Sequence, residues 1–358
     1  MVREVLKQSV GMDVSKDSFS ACFTQREIKK ELRILSSRKF ACNIKGFREF
    51  EKWFTHLHRE GVPLYFLMEA TGVYYEELAY FLFNQGEKVS ILLPNKTSAY
   101  AKSLDYKSKT DEIDAKKLAQ MSLERDLPLW SPPSDKMLKI KRLCRERDEI
   151  LQEKTAVGNR LHAKDHSYQP EKESLKRAEK LLDFLEKQVK QIEKAIHSTI
   201  ENDAEIKQKI ELVCSIPGIS MISAATILSE TNGFTLFKNK AQLVSYAGYD
   251  VVEKSSGTSV KGVSRISKKG NKHIRKILYF PAIVATMHDP KMKTLYLKVV
   301  DRTKIKMKGF VAVQRKLLVL IYTLYKKNEA FNPDFKPHSP SLTKQAGTKS
   351  LPLVSKVK

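Results

Sequence analysis

Residues 1–126 contain strand-like and helix-like segments in a fixed order, and this order restricts the fold more than any other feature of the chain. Short apolar runs bounded by turn residues predict strands, and apolar residues that recur every three or four positions predict helices. Ser108 is expected to cap the last of these helices. The predicted segments are strands over 6–14, 17–24 and 28–35, a helix over 43–58, a strand over 63–69, a helix over 72–84, a strand over 88–93 and a helix over 108–125.

This order is that of the α/β ribonuclease H-like fold, in which acids on the first strand, the fourth strand and the last helix converge. Asp13 and Glu69 each lie at the end of an apolar run. Asp111 and Asp114 are three residues apart on a helix and therefore share a face, whereas Glu112 lies on another face. Carboxylate oxygens are the ligands that Mg²⁺ prefers, and Mn²⁺ accepts the same oxygens. The four carboxylates predict a metal site for phosphoryl transfer, in which two ions stabilise the attacking and leaving oxygens.

The chain is strongly basic, with 65 Lys and Arg against 41 Asp and Glu and a formal net charge of +24. Such a charge favours a polyanionic partner, because cationic side chains release counterions from phosphates. The sequence has no apolar run of about 18 residues or more and no N-terminal leader, so we expect a cytoplasmic protein without a membrane partner. The four cysteines form no CxxC pair, which excludes a zinc ribbon and argues against a disulfide framework.

Pro and Ser residues at 131–135 end the first domain, which we assign to residues 1–130. Residues 131–212 form a second, helical domain rich in charged residues. Apolar residues recur there every seven positions in two rows, as in a coiled coil. The rows are Leu175, Leu182, Val189 and Ile196, and Ala178, Leu185, Ile192 and Thr199. This seam fits either an antiparallel hairpin with residues 135–165 of the same chain or an interface between two chains.

Residues 213–330 form a third, mostly α-helical domain. Around Pro217 and Gly218 the sequence is typical of a helix-hairpin-helix, a turn that directs backbone N–H groups towards phosphates. Residues 254–276 lack acids and are interrupted by glycines, which predicts a surface that contacts phosphates. The residues that we expect to bind nucleic acid are Lys254, Lys261, Arg265, Lys268, Lys269, Lys272, Arg275 and Lys276. Residues 331–358 are rich in Pro, Ser and Lys and predict a disordered basic tail.

Several ordered motifs across about residues 5–330 together resemble the IS110-type transposases, the DEDD recombinases of bacterial insertion sequences. The N-terminal motifs are similar to the three acidic motifs of the family's RuvC-like domain: GMDVSK, MEATGVYY and KTDEIDAKKLA. The later motifs are similar to its C-terminal transposase domain: IPGISMISAATILSE, FKNKAQLVSYAGYDV, SSG and GVSRISKKGNKHIRKILYFPA.

The resemblance implies a catalytic metal site at Asp13, Glu69, Asp111 and Asp114 and a serine that attacks DNA. The family serine precedes a glycine, which selects Ser256, with Ser255 as the alternative in the same doublet. It also implies a homo-oligomer, dimer or tetramer, joined by a coiled coil. A noncoding guide RNA that pairs with donor and target DNA is a further implied partner, in the nucleoid of a bacterial or archaeal cell.

These observations favour an RNA-guided DNA recombinase that cuts and rejoins strands through a metal site and a serine nucleophile. A serine hydroxyl is a poor nucleophile unless a base or a metal activates it, and His273, 17 residues after Ser256, is not an obvious base. The alternative is a metal-dependent nuclease selective for branched DNA, in which water is the nucleophile. A third hypothesis is a basic scaffold that binds nucleic acid without catalysis.

Overall fold

The computed structural model describes residues 4–28, 32–104, 108, 110–235, 237–252, 255–256, 260–261 and 265–335, and side chains in all of these except 255–256 and 260–261. The chain divides into two compact units, Met1–Asp135 and Lys136–Lys358. Among the described residues, no helix is both long and apolar enough to cross a membrane.

A five-stranded sheet forms the centre of the first unit, with strand order β3-β2-β1-β4-β5. Strands β1, β2 and β3 are antiparallel neighbours, whereas β4 and β5 run parallel to β1. This is the strand order of the ribonuclease H-like fold, so the predicted fold of the N-terminal region is confirmed. The strands are β1 Val5–Val14, β2 Ser18–Glu27, β3 Leu32–Ala41, β4 Leu64–Glu69 and β5 Lys88–Leu92.

The two faces of β1 serve different purposes, because successive side chains on a strand point to opposite faces. Val10, Met12 and Val14 are buried on one face, in an aromatic core that includes Phe47 and Phe50 of the first helix. The other face carries the odd-numbered residues and is covered by the fourth helix. The helices of this unit are α1 Ile44–Leu57, α2 Glu76–Asn84, α3 Pro94–Ala101 and α4 Asp111–Glu124.

Four details of this unit differ from the sequence-based expectation. The third strand lies at 32–41 rather than 28–35; it is an edge strand, and its residues 36–39 are polar and mostly exposed, so they give no apolar signal. The second helix begins at Glu76, after a turn over 72–75. Pro94 ends β5 as expected but also begins helix α3, at the first helical position that suits proline.

The fourth difference is the cap of α4. The hydroxyl of Thr110, and not that of Ser108, accepts a hydrogen bond from the backbone N–H of Ile113 at 3.3 Å. Asp111 is therefore the first residue of α4 rather than its fourth position, and the expected capping box is absent.

Two long helices, α5 Asp135–Asp165 and α6 Lys172–Glu201, lead into the second unit. Ion pairs join Arg147 to Glu193 at 2.7 Å and Lys154 to Glu186 at 3.1 Å. Because the residue numbers rise on α5 as they fall on α6, the helices are antiparallel within the chain. The heptad residues of α6 are buried from Leu185 onward and half-buried before it.

The remainder of the second unit packs around one core of Ile, Leu, Ala and aromatic side chains. The turn at Pro217 and Gly218 joins α7 to α8, with Ile219 buried beneath it. Two short antiparallel ladders pair β6 with β9 and β7 with β8. The elements are α7 Ala204–Cys214, α8 Met221–Glu230, α9 Lys240–Tyr246, β6 Val251–Val252, β7 Ser255–Ser256, β8 Val260–Lys261, β9 Arg265–Ile266, α10 Lys272–Ile277, α11 Tyr279–His288, α12 Pro290–Thr303 and α13 Lys306–Lys327.

Candidate active site and serine-bearing loop

Asp13 and Glu69 lie at the same end of two neighbouring parallel strands. In the β1–β4 register Gly11 is opposite Leu67 and Met12 is opposite Met68, and Asp13 and Glu69 are the next residue on each strand. Side chains two apart on a strand share a face. Asp13 therefore lies on the face of Gly11, and Glu69 on the face of Leu67.

Helix α4 covers this face because Gly11 has no side chain. A Cβ atom at Gly11 would lie 2.2 Å from both the Ala115 carbonyl oxygen and the Ala119 backbone nitrogen. The absence of that atom allows the backbone of α4 to lie directly against β1. Asp111 and Asp114 lie in the first turn of α4, four residues and one residue before Ala115, which contacts Gly11. The two acids thus begin the helix that covers the face of Asp13 and Glu69.

Cations and hydroxyls contact the carboxylates of Glu69, Asp111 and Asp114. The Asp114 carboxylate accepts from Lys117 Nζ at 2.9 Å, and Asp111 lies 3.9 Å from Lys39 Nζ on the surface. One oxygen of Glu69 accepts from the Thr71 hydroxyl at 2.7 Å, and the other accepts from the hydroxyl of buried Thr97. Thr97 lies on α3, the helix that the sequence did not predict, so sequence reasoning missed this partner.

The donor chemistry of these residues suits a divalent metal. Four carboxylates supply hard oxygen ligands, and the strand register and α4 place them at one end of one sheet face. In the part of the chain that the structure describes, no group of three or more His, Cys, Asp or Glu side chains is positioned to hold a metal ion. The four residues therefore lie on elements that could bring them to one metal site. As placed, their side chains do not form a group that could hold a metal ion.

The predicted nucleophile lies in a loop of the second unit. Ser255 and Ser256 form β7, in which Ser255 pairs with Lys261 and Ser256 pairs with Val260. Nearer the base of the loop, Val252 of β6 pairs with Arg265 of β9. In the sequence, the β7–β8 pair that contains Ser256 lies between β6 and β9.

Backbone hydrogen bonds close the base of this loop. The Asn271 N–H donates to the Tyr246 carbonyl at 2.7 Å, and the Lys268 N–H donates to the Gly248 carbonyl at 3.1 Å. The two sides approach so closely that a Cβ atom at Gly270 would lie 2.3 Å from the Tyr246 oxygen. Gly248 has a φ of +74°, which favours glycine. Backbone hydrogen bonds and close backbone contacts thus hold the two sides of the loop base together.

A buried polar network centred on Glu230 contacts Tyr246 and Asn271 at the base of the loop. The Glu230 carboxylate accepts from Arg145 Nε at 2.6 Å, Arg145 Nη2 at 2.9 Å and Asn271 Nδ2 at 2.7 Å. The Tyr246 hydroxyl donates to the Glu230 carbonyl at 3.0 Å. Burial raises the pKa of Glu230, but Arg145, Lys141 and Asn271 together outweigh it and hold that pKa below its usual value. Asn271 also caps α10, so this network fixes the helix that follows the loop.

Those described residues that were predicted to bind nucleic acid are of three kinds: some are exposed, one is paired with a carboxylate, and one is directed inward. Arg265, Lys268, Lys269 and Lys272 are exposed. Lys276 is paired with Asp148, which also faces His273 Nδ1 at 3.3 Å.

Arg275 points inward and donates to the carbonyls of Ala247 at 2.7 Å and Asn271 at 3.2 Å, so its guanidinium braces the loop base. Lys254 and the side chains of Lys261, Ser255 and Ser256 lie outside the described residues.

Sequence reasoning missed Arg145, Glu230 and Asn271. Asn271 is 41 residues from its partner Glu230, and Arg145 is 85 residues from the same partner. No local sequence pattern could therefore pair them. A cavity of about 20 Å³ next to this network is lined by Cys144, Asp148 and His273 among others. A volume of that size holds about one water molecule, so it is not a small-molecule site. Burial raises the pKa of the Cys144 thiol to about 11.

Two family models match this chain. The DEDD transposase model of IS110 elements matches residues 10–170, and the transposase model of the IS116/IS110/IS902 family matches residues 210–297. Together they cover more than half of the chain.

Similar curated proteins include the pilin gene-inverting proteins of Moraxella bovis and Moraxella lacunata. Each is 28% identical over 331 residues, which is 91% of this chain and 98% of the relative. The IS110 43.6 kDa protein of Streptomyces coelicolor is 26% identical over 131 residues, which is 37% of this chain and 32% of that protein.

Among solved structures, Thermus thermophilus RuvC matches with a TM-score of 0.26 and 12% identity, over 34% of this chain and 99% of RuvC. The Aquifex aeolicus member of the Ppx/GppA family matches with a TM-score of 0.21 and 10% identity, over 90% and 92% of the two chains. At such scores the assignment of the fold rests on the strand order of the sheet.

Proposed function

The chain belongs to the IS110 family of transposases and acts on DNA as a transposase or recombinase, and from that premise we propose that a four-carboxylate metal site and Ser256 together cut and rejoin DNA strands. The observation that carries this proposal is the β1–β4 register, which aligns Asp13 with Glu69 on the face that α4 covers. Two carboxylates that bind the same metal ion must lie close together, whereas carboxylates that only face solvent need no such alignment.

Asp13, Glu69, Asp111 and Asp114 would hold the metal, with Mg²⁺ as the expected ion and Mn²⁺ as an accepted substitute. When bound, the metal would polarise the phosphate and neutralise charge that develops on its oxygens. A divalent cation would compete with Lys117 for the Asp114 carboxylate. Thr71 and Thr97 would orient Glu69, since each donates to one of its oxygens.

Ser256 would act as the nucleophile. Its Oγ gives up a proton and forms a bond to a DNA phosphorus, while the bond from that phosphorus to a DNA oxygen breaks and the released hydroxyl takes up a proton. A hydroxyl of another strand then attacks the phosphoserine and releases the serine, so the number of phosphodiester bonds is conserved. Nearby lysines and arginines would stabilise the additional negative charge on the phosphate. The Moraxella relatives, named for inverting a pilin gene, support a reaction that rejoins what it cuts.

Donor and target DNA are the proposed substrates, and a noncoding RNA is the proposed guide. The exposed cations Arg265, Lys268, Lys269 and Lys272 would contact phosphates, which carry no base sequence, so base pairing by RNA would supply the choice of target. Two or four chains would assemble through the half-buried heptad residues of α6 that precede Leu185. The turn before α8 would contribute further backbone contacts to DNA.

The test is a search for a protein–DNA covalent adduct. Purified full-length protein, RNA transcribed from the DNA that flanks its gene, and labelled donor and target duplexes are incubated with Mg²⁺ and separated on a denaturing gel. We expect an adduct with the wild type and with Ser255→Ala, and none with Ser256→Ala. Omitting the RNA should abolish the reaction on the target.

Cleaved DNA without an adduct, persisting in Ser256→Ala, would instead indicate a nuclease that uses water. An adduct lost in Ser255→Ala and retained in Ser256→Ala would assign the neighbouring serine.

A further inference from the structure

Helices α12 and α13 and the turn between them carry a second concentration of positive charge, separate from residues 254–276. Residues 290–328 contain eleven Lys and Arg and one acid, Asp301. The eleven are Lys291, Lys293, Lys298, Arg302, Lys304, Lys306, Lys308, Arg315, Lys316, Lys326 and Lys327. Such a concentration of positive charge attracts polyanions.

A row of aromatic rings crosses these two helices and α11. Phe280 lies 5.5 Å from Tyr279, Tyr279 lies 6.2 Å from Phe310, and Phe310 lies 4.7 Å from Tyr296, measured between ring centroids. Gly309 makes the last contact possible, since a Cβ atom there would lie 2.6 Å from the Tyr296 ring. The rings therefore form one continuous row on α11, α13 and α12.

The outer end of this row is open to solvent. Phe280 is 72% exposed, and Met287, two helical turns further along α11, is 70% exposed. Tyr279, Tyr296 and Phe310 are half-buried. A large aromatic side chain exposed to this extent, continuous with further rings, marks an interaction surface rather than an isolated surface residue.

Unpaired cations lie beside the rings. Lys293 precedes Tyr296 by three residues and Lys306 precedes Phe310 by four, so each shares a helix face with a ring. Lys304, in a left-handed conformation, forms the turn between α12 and α13. Within the described part of the chain, none of Lys293, Lys304 and Lys306 forms an ion pair with a carboxylate.

Rings and unpaired cations together select the class of partner. Duplex nucleic acid presents phosphates but keeps its base faces stacked, so it cannot use the exposed ring. An apolar protein surface can cover Phe280 but leaves the surrounding lysines without partners. A single strand offers both phosphates and open base faces, and base–aromatic stacking with a basic groove is how proteins bind it.

We propose that Phe280 and its neighbouring rings and lysines on α11–α13 bind single-stranded DNA. This inference rests on the proposed function, because cutting and exchanging strands leaves unpaired DNA that the protein must retain until rejoining. Phe280 stacks on a base, and Lys304 and Lys306 contact the phosphates that follow.

The experiment measures binding of full-length protein to fluorescent oligonucleotides by anisotropy, using a dT single strand, a DNA duplex and a U single strand of RNA. Phe280→Ala and Phe280→Leu should each weaken binding to the dT strand about tenfold, and Phe280→Trp should retain it, since stacking needs a ring. Binding to the duplex should not change. Phe184→Ala on α6 is the matched control, because Phe184 is 55% exposed and lies outside the row.

The lysines are tested separately by the dependence of binding on salt. Lys304→Gln with Lys306→Gln should reduce the slope of log K against log salt by about 1.4, at about 0.7 for each lost phosphate contact. An unchanged slope would contradict the assignment of these lysines.

Three results would overturn the proposal. Wild-type binding by Phe280→Leu would show that the ring does not stack. Tighter, Phe280-dependent binding of the U strand would assign the surface to RNA. A change of oligomeric state in Phe280→Ala, with dT binding intact, would assign it to another protein chain. Ser256→Ala should bind the dT strand normally, so failure of the covalent mechanism and failure of this surface give different results.

Discussion

The acidic face of the first unit and the serine-bearing loop of the second are built in opposite ways. The acids are placed by regular elements: two strands in register and a helix that lies on Gly11. The serine lies in a loop whose base is held by Glu230 and Arg145 from elsewhere in the chain. The geometry of a strand or helix is set by residues that are adjacent in the sequence or in the sheet. The position of the loop base depends instead on a few polar contacts with residues that are distant in the sequence. The loop should therefore be the more sensitive to single substitutions far from it.

Unfolding experiments can follow the two regions separately. The protein has two tryptophans, Trp53 and Trp130, and both lie in the first unit. Tryptophan fluorescence therefore reports the sheet and its acids. Circular dichroism also includes the helices of the second unit, so a transition seen only by circular dichroism belongs to the region that bears the loop.

The largest expected effect comes from removing the cation of the buried network. Arg145→Met should lower the free energy of unfolding of the second unit by about 3 kcal/mol, because Glu230, whose side chain is 1% exposed, would retain its charge without its main partner. Urea unfolding followed by circular dichroism should show this, with the tryptophan transition unchanged.

The control for that variant is Arg147→Met on the same helix. Its partner Glu193 is 37% exposed, so the loss should stay below about 1 kcal/mol. Equal losses in the two variants would mean that the network does not define the base of the loop.

A substitution at Gly11 tests the contrasting region. Gly11→Ala should destabilise the first unit by about 2 kcal/mol and shift the tryptophan transition, since the new Cβ atom would overlap backbone atoms of α4. Gly158→Ala on α5 is the comparison, as nothing lies within 4 Å of its Cβ position and alanine should stabilise the helix by about 0.5–1 kcal/mol. An unshifted tryptophan transition in Gly11→Ala would contradict the close packing of α4 on β1.

Acid should weaken the loop region through Glu230. Its pKa is lowered in the folded state, so its contribution to stability is complete above about pH 4.5 and is lost as the pH falls through the folded pKa. The second unit should therefore lose stability below pH 4.5 more steeply in the wild type than in Glu230→Gln. Parallel pH profiles of the circular dichroism transition for the two proteins would show that this carboxyl is not stabilised by its partners.

The smallest effect concerns the start of α4. Thr110→Ala should cost about 1 kcal/mol in the first unit, because it removes the N-cap, whereas Ser108→Ala should have no effect. The tryptophan transition distinguishes them. A larger loss in Ser108→Ala would restore the sequence-based choice of cap.

The order of the elements and the positions of Asp13 and Glu69 near the ends of two strands could be predicted from the sequence, because apolar runs and turn residues mark strands and their ends locally. The local sequence did not predict the N-cap of α4, because two nearby residues are chemically alike. Ser108 and Thr110 are both good caps, and in the structure Thr110 is the residue that caps α4.

The base of the loop could not be predicted at all. Glu230 is an ordinary acid at the end of an apolar helix in the sequence, and its partners become apparent only when α5, α8 and α10 have been packed together.

The most direct test of the central claim measures metal binding and DNA cleavage at the acidic face. Mn²⁺ binding is followed by electron paramagnetic resonance in the wild type, Asp13→Asn, Glu69→Gln, Asp114→Asn and the control Glu112→Gln. We predict that the three ligand variants lose Mn²⁺ binding and about a thousandfold of the cleavage rate, and that Glu112→Gln retains both. Wild-type metal binding and cleavage in Asp13→Asn and Asp114→Asn would show that this face is not the catalytic centre.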